Sequence, residues 1–360
     1  MKRIHGGDWA AYRARYGRDP LDFSQNISPL GLPAGVAAAI RAAVEDGAAA
    51  RYPDPGCTAL RRALAERWDR AEDQILCGNG ACELIFRFAL AVRPARALVA
   101  APTFGEYERA LALAGAAVTR VPLSPAEGWA AAPALRRAVE RMGRVEAVIL
   151  CQPNNPTGRC EEKGEVLALA AACARAGARL LVDEGFLPFA EEEGALTLLP
   201  HLAALPQVAV LRAATKLYAL AGVRLGACVS ADAALLRRMG ECGQPWPVSA
   251  LAQRAGLAAL ADETYPSRVR ALLRQERPRL RNGLLRLGFS VPEGRANFLL
   301  LRTGRPELGE QLAARGMLIR DCREMPGLCP GDYRAAVRRG EDNRALLRAM
   351  EEVLKWDESC

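Results

Sequence analysis

The sequence predicts an α/β fold: a large domain on a mostly parallel sheet flanked by helices, then a smaller α+β domain. Three observations carry that expectation. Short apolar strands alternate with helical stretches between residues 75 and 211, the pattern of parallel strands joined by crossover helices. The alternation stops at Gln244-Pro245-Trp246-Pro247, beyond which long helical runs precede a new set of strands. Several of the earlier strands run into glycine- or proline-bearing turns, and open sheets bind ligands at such carboxyl ends.

Taken in order, the first thirty residues read as no regular element. His5-Gly6-Gly7 can bring backbone close to a ligand, and 22–31 (DFSQNISPLG) is polar and turn-rich. An Ala-rich helix is expected over 33–46, RYPDPG (51–56) breaks the chain, and helical periodicity resumes over 58–67. A strand at 75–77 leads through GNGACE into an apolar helix at 84–91. Further strands are expected at 97–101, 116–121, 147–150, 179–182 and 208–211. A helical region over 248–287 then precedes strands near 298–301, 318–320 and 333–337, with a closing helix at 343–356. The chain thus divides into an N-terminal arm (1–32), a large domain (33–245) and a small C-terminal domain (246–360).

Composition narrows the function. Of 360 residues, 51% are hydrophobic and 25% charged, as in ordinary globular proteins. No apolar run is long enough to cross a bilayer, and the N-terminus lacks an apolar leader segment, so a cytoplasmic protein without membrane contact is expected. The net charge of +8 comes from scattered arginines, with no basic tract interleaved with aromatics; a small anionic ligand fits better than nucleic acid. Eleven cysteines form no CxxC pair and there are only two histidines, which argues for free thiols and no metal site.

The chemistry-bearing stretch is LRAATKLYALAGVRLG (211–226). Lys216 sits there among small and apolar residues, where desolvation favours the neutral amine and makes it a nucleophile towards carbonyls. A snorkelling surface lysine has the same local appearance. Gly78 to Cys82 forms a strand-to-helix turn whose amides suit a phosphate. In QPNNPTG (152–158), an Asn before Pro is held extended with its amide available to a ligand. Asp183 ends a buried strand and reads as a helix cap or a metal ligand, though no second cluster of ligands supports a metal.

In this order, the phosphate turn, an aromatic after Pro102-Thr103, the NPTG, the strand-end Asp and the TK…R resemble the fold type I pyridoxal-phosphate enzymes along essentially the whole chain. The resemblance implies pyridoxal 5'-phosphate as cofactor and Lys216 as the catalytic residue that bonds it covalently. Asp183 would face the pyridine nitrogen, Asn155 the phenolic oxygen, and Phe104 and Gly185 the two ring faces. Gly80, Ala81, Cys82, Thr215 and Arg224 would meet the phosphate. Tyr52 would join them from a neighbouring subunit, implying a homodimer with shared sites.

Within that family the chain is similar to histidinol-phosphate aminotransferases and to L-threonine O-3-phosphate decarboxylases of cobalamin biosynthesis. HGGD (5–8), PTFGEYERAL (102–111), QPWPVSALA (244–252) and LIRDC (318–322) lean towards the decarboxylases. So does Phe186, where aminotransferases commonly carry a tyrosine whose hydroxyl reaches the ring oxygen. The implied substrate is a small phosphorylated amino acid. Arg334 would hold its carboxylate, Arg320, His5, Gly6 and Asn26 its phosphate, with Arg338 a further candidate; each arginine has a surface ion pair as its alternative. Transamination and a serine-phosphate substrate stay open. Ala213, three residues before Lys216, departs from relatives that place a phosphate-binding hydroxyl there.

Overall fold

The computed structural model describes residues 7–358. A two-residue strand, β1 (Leu21–Asp22), precedes seven strands that form one sheet. These are β2 (Ile75–Gly78), β3 (Arg96–Ala101), β4 (Ala117–Pro122), β5 (Ala147–Cys151), β6 (Arg179–Asp183), β7 (Val208–Ala213) and β8 (Gly226–Ser230), in the order β2-β8-β7-β6-β5-β3-β4. Every pairing is parallel except the two made by β8, which runs against both β2 and β7. β8 lies outside the expected strands. It follows β7 with only a four-residue helix, Ala214–Leu217, between them, so no crossover announces it.

Strands β5 to β8 are almost entirely buried, as expected for a sheet covered on both faces. One face packs under helices such as Ala131–Met142 and Lys163–Ala176, the other under Gly80–Val92 and Ala233–Glu241. A separate core gathers Tyr265, Leu280, Phe289, Tyr333 and Met350 from the C-terminal elements, with Phe23 from the N-terminal arm. There β9 (Phe298–Arg302) pairs with β12 (Asp332–Ala336), and β12 with β11 (Arg320–Asp321), all antiparallel. The strand expected at 318–320 is in fact split. β10 (Met317–Leu318) pairs with β1, while Arg320 joins β11 in a different sheet.

The arm departs from expectation too. Residues 9–16 form a helix, Trp9–Tyr16. Asp8 caps it by accepting from the Ala11 amide at 3.0 Å, and Gly17 closes it with a left-handed φ of 68°. Tyr12 is buried and donates its hydroxyl to the Ala313 carbonyl at 2.6 Å, so tertiary contact holds this short helix. The helix at 84–91 begins earlier than expected, at Gly80. The helical region over 248–287 is two helices, Ala250–Ala261 and Thr264–Arg286.

Beyond β6 the chain is fixed by Glu184, which is fully buried. Its carboxylate accepts from the Thr197 hydroxyl at 2.6 Å, the Leu198 amide at 2.8 Å and Arg212 at 2.9 Å; Arg212 also pairs with Glu193. Removing one partner of a buried pair leaves the other charge uncompensated. Glu184→Ala is expected to lower stability by about 3 kcal/mol or more in urea unfolding; a change under about 1 kcal/mol would mean that Arg212 finds full compensation elsewhere.

Candidate active site

Residues at the carboxyl ends of β2, β3, β5, β6 and β7 converge on a cavity of about 410 Å3. Lys216 enters it from the short helix that follows β7. Its Nζ lies 5.8 Å from the centre of the Phe186 ring. Burial is the main reason its pKa falls to about 8, and the guanidinium groups of Arg334 and Arg224 push the same way against Asp183 and Cys82. The amine is therefore available in neutral form near physiological pH.

Asp183 ends β6 on the same wall and is 9% exposed. Its Oδ1 accepts from the Gly185 amide at 2.8 Å and its Oδ2 from the Tyr107 hydroxyl at 2.7 Å. Burial raises its pKa, while Tyr107, Gly185 and the Lys216 charge oppose that rise. Tyr107 was not among the expected site residues. The signal for it was positional: it stands three residues after Phe104, one helical turn on, and the two rings meet edge-on at 5.4 Å.

A cradle of bare amides and one guanidinium is assembled from three segments. The helix Gly80–Val92 begins at the cavity, its first-turn amides have no intrahelical partner, and the Asn79 side chain does not cap it. A Cβ on Gly80, whose φ is +78°, would lie 2.7 Å from Arg224 Nη2, so the guanidinium rests on bare backbone there. A Cβ on Gly226 would lie 2.6 Å from the Ala81 amide nitrogen. Ala81, Cys82, Thr215 and Arg224 all line the cavity with Lys216. Bare amides with a guanidinium, an amine and a buried acid on one cavity fit pyridoxal phosphate, with its phosphate, aldehyde and basic ring nitrogen.

A second group lies towards the C-terminal elements. Asn155 is buried and its Oδ1 accepts from Arg334 Nη1 at 2.6 Å; Arg334 Nη2 donates to the Ser24 carbonyl at 2.7 Å. Its Nε is a buried donor without a partner, and burial lowers the Arg334 pKa to about 10. Asn26 is 3% exposed and its Oδ1 also lacks a partner. Arg320 lines the same cavity and burial lowers its pKa, though Cys322 and Asp321 oppose that. The neighbouring Asn154 is structural: it bonds Thr103, Thr157 and the Pro102 carbonyl, which leaves Asn155 as the cavity-facing member of the pair.

Phe104 and Gly185 also line the cavity, but Arg338 and Tyr52 do not. Arg338 donates to Asp342 and to the Asp22 carbonyl, each at 3.0 Å, so it ties the arm to the closing helix. Tyr52 is 80% exposed and stacks on Trp246 at 4.3 Å. His5 and Gly6 lie outside the described residues. A cavity of about 440 Å3 lies behind the lysine loop and shares Ala213 with this one, but it contains neither Lys216 nor Asp183. Among the described residues no cluster of three metal-ligating side chains occurs.

The family model described as Aminotransferase class I and II matches residues 18–350. The threonine-phosphate decarboxylase of Salmonella typhimurium is 38% identical over 97% of this chain and 96% of its own length. An adenosylcobalamin biosynthesis bifunctional protein of Leptospira interrogans is 27% identical over 97% of this chain and 41% of its own. The crystal structure of histidinol-phosphate aminotransferase from Sinorhizobium meliloti in complex with pyridoxal-5'-phosphate superposes with a TM-score of 0.87 at 25% identity, covering 97% of this chain and 95% of that one.

The lowered pKa of Lys216 gives a signed expectation. An amine becomes nucleophilic as pH rises through its pKa, so the rate at which the apoprotein takes up an aldehyde should rise with a midpoint near 8. Arg334→Met removes a positive charge that lowers this pKa and should move the midpoint upward. Stopped-flow uptake of pyridoxal phosphate across pH checks both; a midpoint near the ordinary lysine value of about 10.4 would contradict the site electrostatics.

Proposed function

The chain belongs to the class I and II aminotransferase family, and from that premise we propose that it is a pyridoxal-phosphate-dependent carboxy-lyase. The reaction is decarboxylation of L-threonine O-3-phosphate to (R)-1-amino-2-propanol O-2-phosphate and CO2, in cobalamin biosynthesis. The observation that supports it best is the pair of buried guanidiniums, Arg334 and Arg320, on one cavity with Lys216. Two cations held away from water suit a substrate that carries two separate anionic groups.

When bound, pyridoxal phosphate supplies an aldehyde for the substrate amine and a cationic ring that accepts electrons. Its phosphate is assigned to the amides of Gly80, Ala81 and Cys82 with Thr215 and Arg224, its phenolic oxygen to Asn155, and its ring faces to Phe104 and Gly185. Arg334 takes the substrate carboxylate through its unpartnered Nε, and Arg320 with Asn26 takes the phosphate. These anchors are joined by the substrate backbone, so together they set the rotation at Cα and hence which bond stands perpendicular to the ring. Lys216, with a pKa about 8, holds a proton and returns it to Cα once CO2 has left. Phe186 meets Phe298 edge-on at 5.1 Å beside the amine and keeps that side of the cavity apolar.

We further infer a cytoplasmic homodimer in which the exposed Tyr52–Trp246 stack lies at the subunit contact and Tyr52 reaches the partner's cofactor phosphate. The arm to residue 32, the sheet domain to 245 and the remainder are taken as the three functional units. Arg338 is assigned to holding the arm rather than to substrate.

Purified protein with pyridoxal phosphate and threonine phosphate should release CO2 and form aminopropanol phosphate, with no consumption of 2-oxoglutarate. Lys216→Ala should abolish turnover. Arg320→Ala should weaken substrate binding by about 2 kcal/mol or more, read as KM. Turnover of histidinol phosphate with 2-oxoglutarate, and none of threonine phosphate, would replace this reading with transamination.

A further inference from the structure

We propose that Tyr107 is a positioning residue: its hydroxyl, donated to Asp183 Oδ2 at 2.7 Å, holds that carboxylate in the form and orientation that leave the proton on the cofactor's ring nitrogen. The inference rests on the cofactor assignment made above and concerns a side chain to which no role has been given.

The geometry fixes the acid from two sides. The Gly185 amide donates to Oδ1 and Tyr107 to Oδ2, so each oxygen has one donor and the carboxylate plane is set. The tyrosine cannot swing away. It is 1% exposed, sits in the first turn of the helix Glu106–Leu113, and its ring is braced edge-on by Phe104. The brace therefore connects the acid to the aromatic expected over the cofactor ring.

Tyr107 is faced by Asp183 from β6 and Cys151 from β5, and Asp183 is faced in turn by Lys216. Cys151 is the register partner of Asp183, and burial pushes its thiol up to about 12, so that side carries no charge. Burial and the Asp183 charge hold the Tyr107 hydroxyl well above the usual tyrosine range. It stays protonated and donates to Asp183, with the Cys151 thiol as its other hydrogen-bond neighbour.

Burial alone favours a neutral Asp183. In a pair of buried carboxyl and pyridine nitrogen, one proton is shared, and it moves to the oxygen if the carboxylate loses its donors. Without the Tyr107 hydroxyl, the balance tips towards neutral acid and uncharged ring. The ring then accepts electrons poorly, although substrate is still held by the arginines.

The test is Tyr107→Phe, which keeps the ring and its packing on Phe104. The pyridine nitrogen is read directly by 15N NMR of holoenzyme loaded with 15N-labelled pyridoxal phosphate. The wild-type signal should be that of a protonated ring, and the variant should move towards the unprotonated position. Cofactor affinity of the apoprotein and kcat should each fall about tenfold or more, the range of a hydrogen bond to a charged group, with KM for threonine phosphate within about twofold. Difluorotyrosine placed at 107 keeps the shape, strengthens the donor, and should hold the ring protonated; it serves if the Phe variant does not fold. Identical nitrogen signals in wild type and the variant would overturn the inference while leaving the function standing. A wild-type protein that takes up no pyridoxal phosphate would overturn both.

Discussion

The site depends on two opposite charges held away from water at the ends of neighbouring strands. Asp183 ends β6, and Lys216 follows β7, which pairs with β6 in parallel up to Asp183 and Leu211. Burial pushes the acid up and the base down, so each is moved towards its neutral form. Neither shift favours the fold on its own, because charged groups in an apolar wall cost free energy unless paired. A ligand with a basic nitrogen at one end and a carbonyl near the other relieves both at once. The arrangement thus favours binding at the expense of the empty fold.

The reversed strand β8 makes the cradle possible. Because it turns back directly after β7, the connection between them carries both Lys216 and Arg224 and returns to the sheet at Gly226. Gly226 then lies hard against Ala81, and Arg224 against Gly80. A crossover helix in place of this short return would have taken the arginine to the opposite, amino-terminal edge of the sheet. The Lys216 amine and the Arg224 guanidinium are consequently held by the same local structure, with glycines where a Cβ would force the segments apart.

Much of this was legible in the chain. The buried strands are continuous apolar runs, and Asp183, Asn155 and Lys216 each stand at or just past the end of one. What escaped was set by contacts distant in sequence. The helix Trp9–Tyr16 shows little amphipathic pattern and is held by Tyr12 reaching Ala313. Tyr107 becomes functional only when β3 and β6 are brought together, since its partner lies 76 residues away. Arg338 has the residue type of a substrate anchor and sits four residues beyond Arg334, yet its Asp342 neighbour one helical turn on claims it. Residue type named the candidates; only packing shows which of them line the cavity and which are held elsewhere.

Charge then argues for the class of substrate. Lys216, Arg224, Arg320 and Arg334 line the cavity, against Asp183 and Glu106. Arg224 is exposed and lies at the helix start, where a phosphate is already favoured by the dipole. Arg320 and Arg334 are buried, and burial is the main cause that lowers the pKa of each. A guanidinium held in this state gains most from an anion that arrives with the ligand. A substrate with one anionic group would meet only one of these two buried cations, whereas an amino acid that also bears a phosphate meets both. The same balance resists a purely apolar side chain, which would desolvate Arg320 further and bring no opposite charge in exchange.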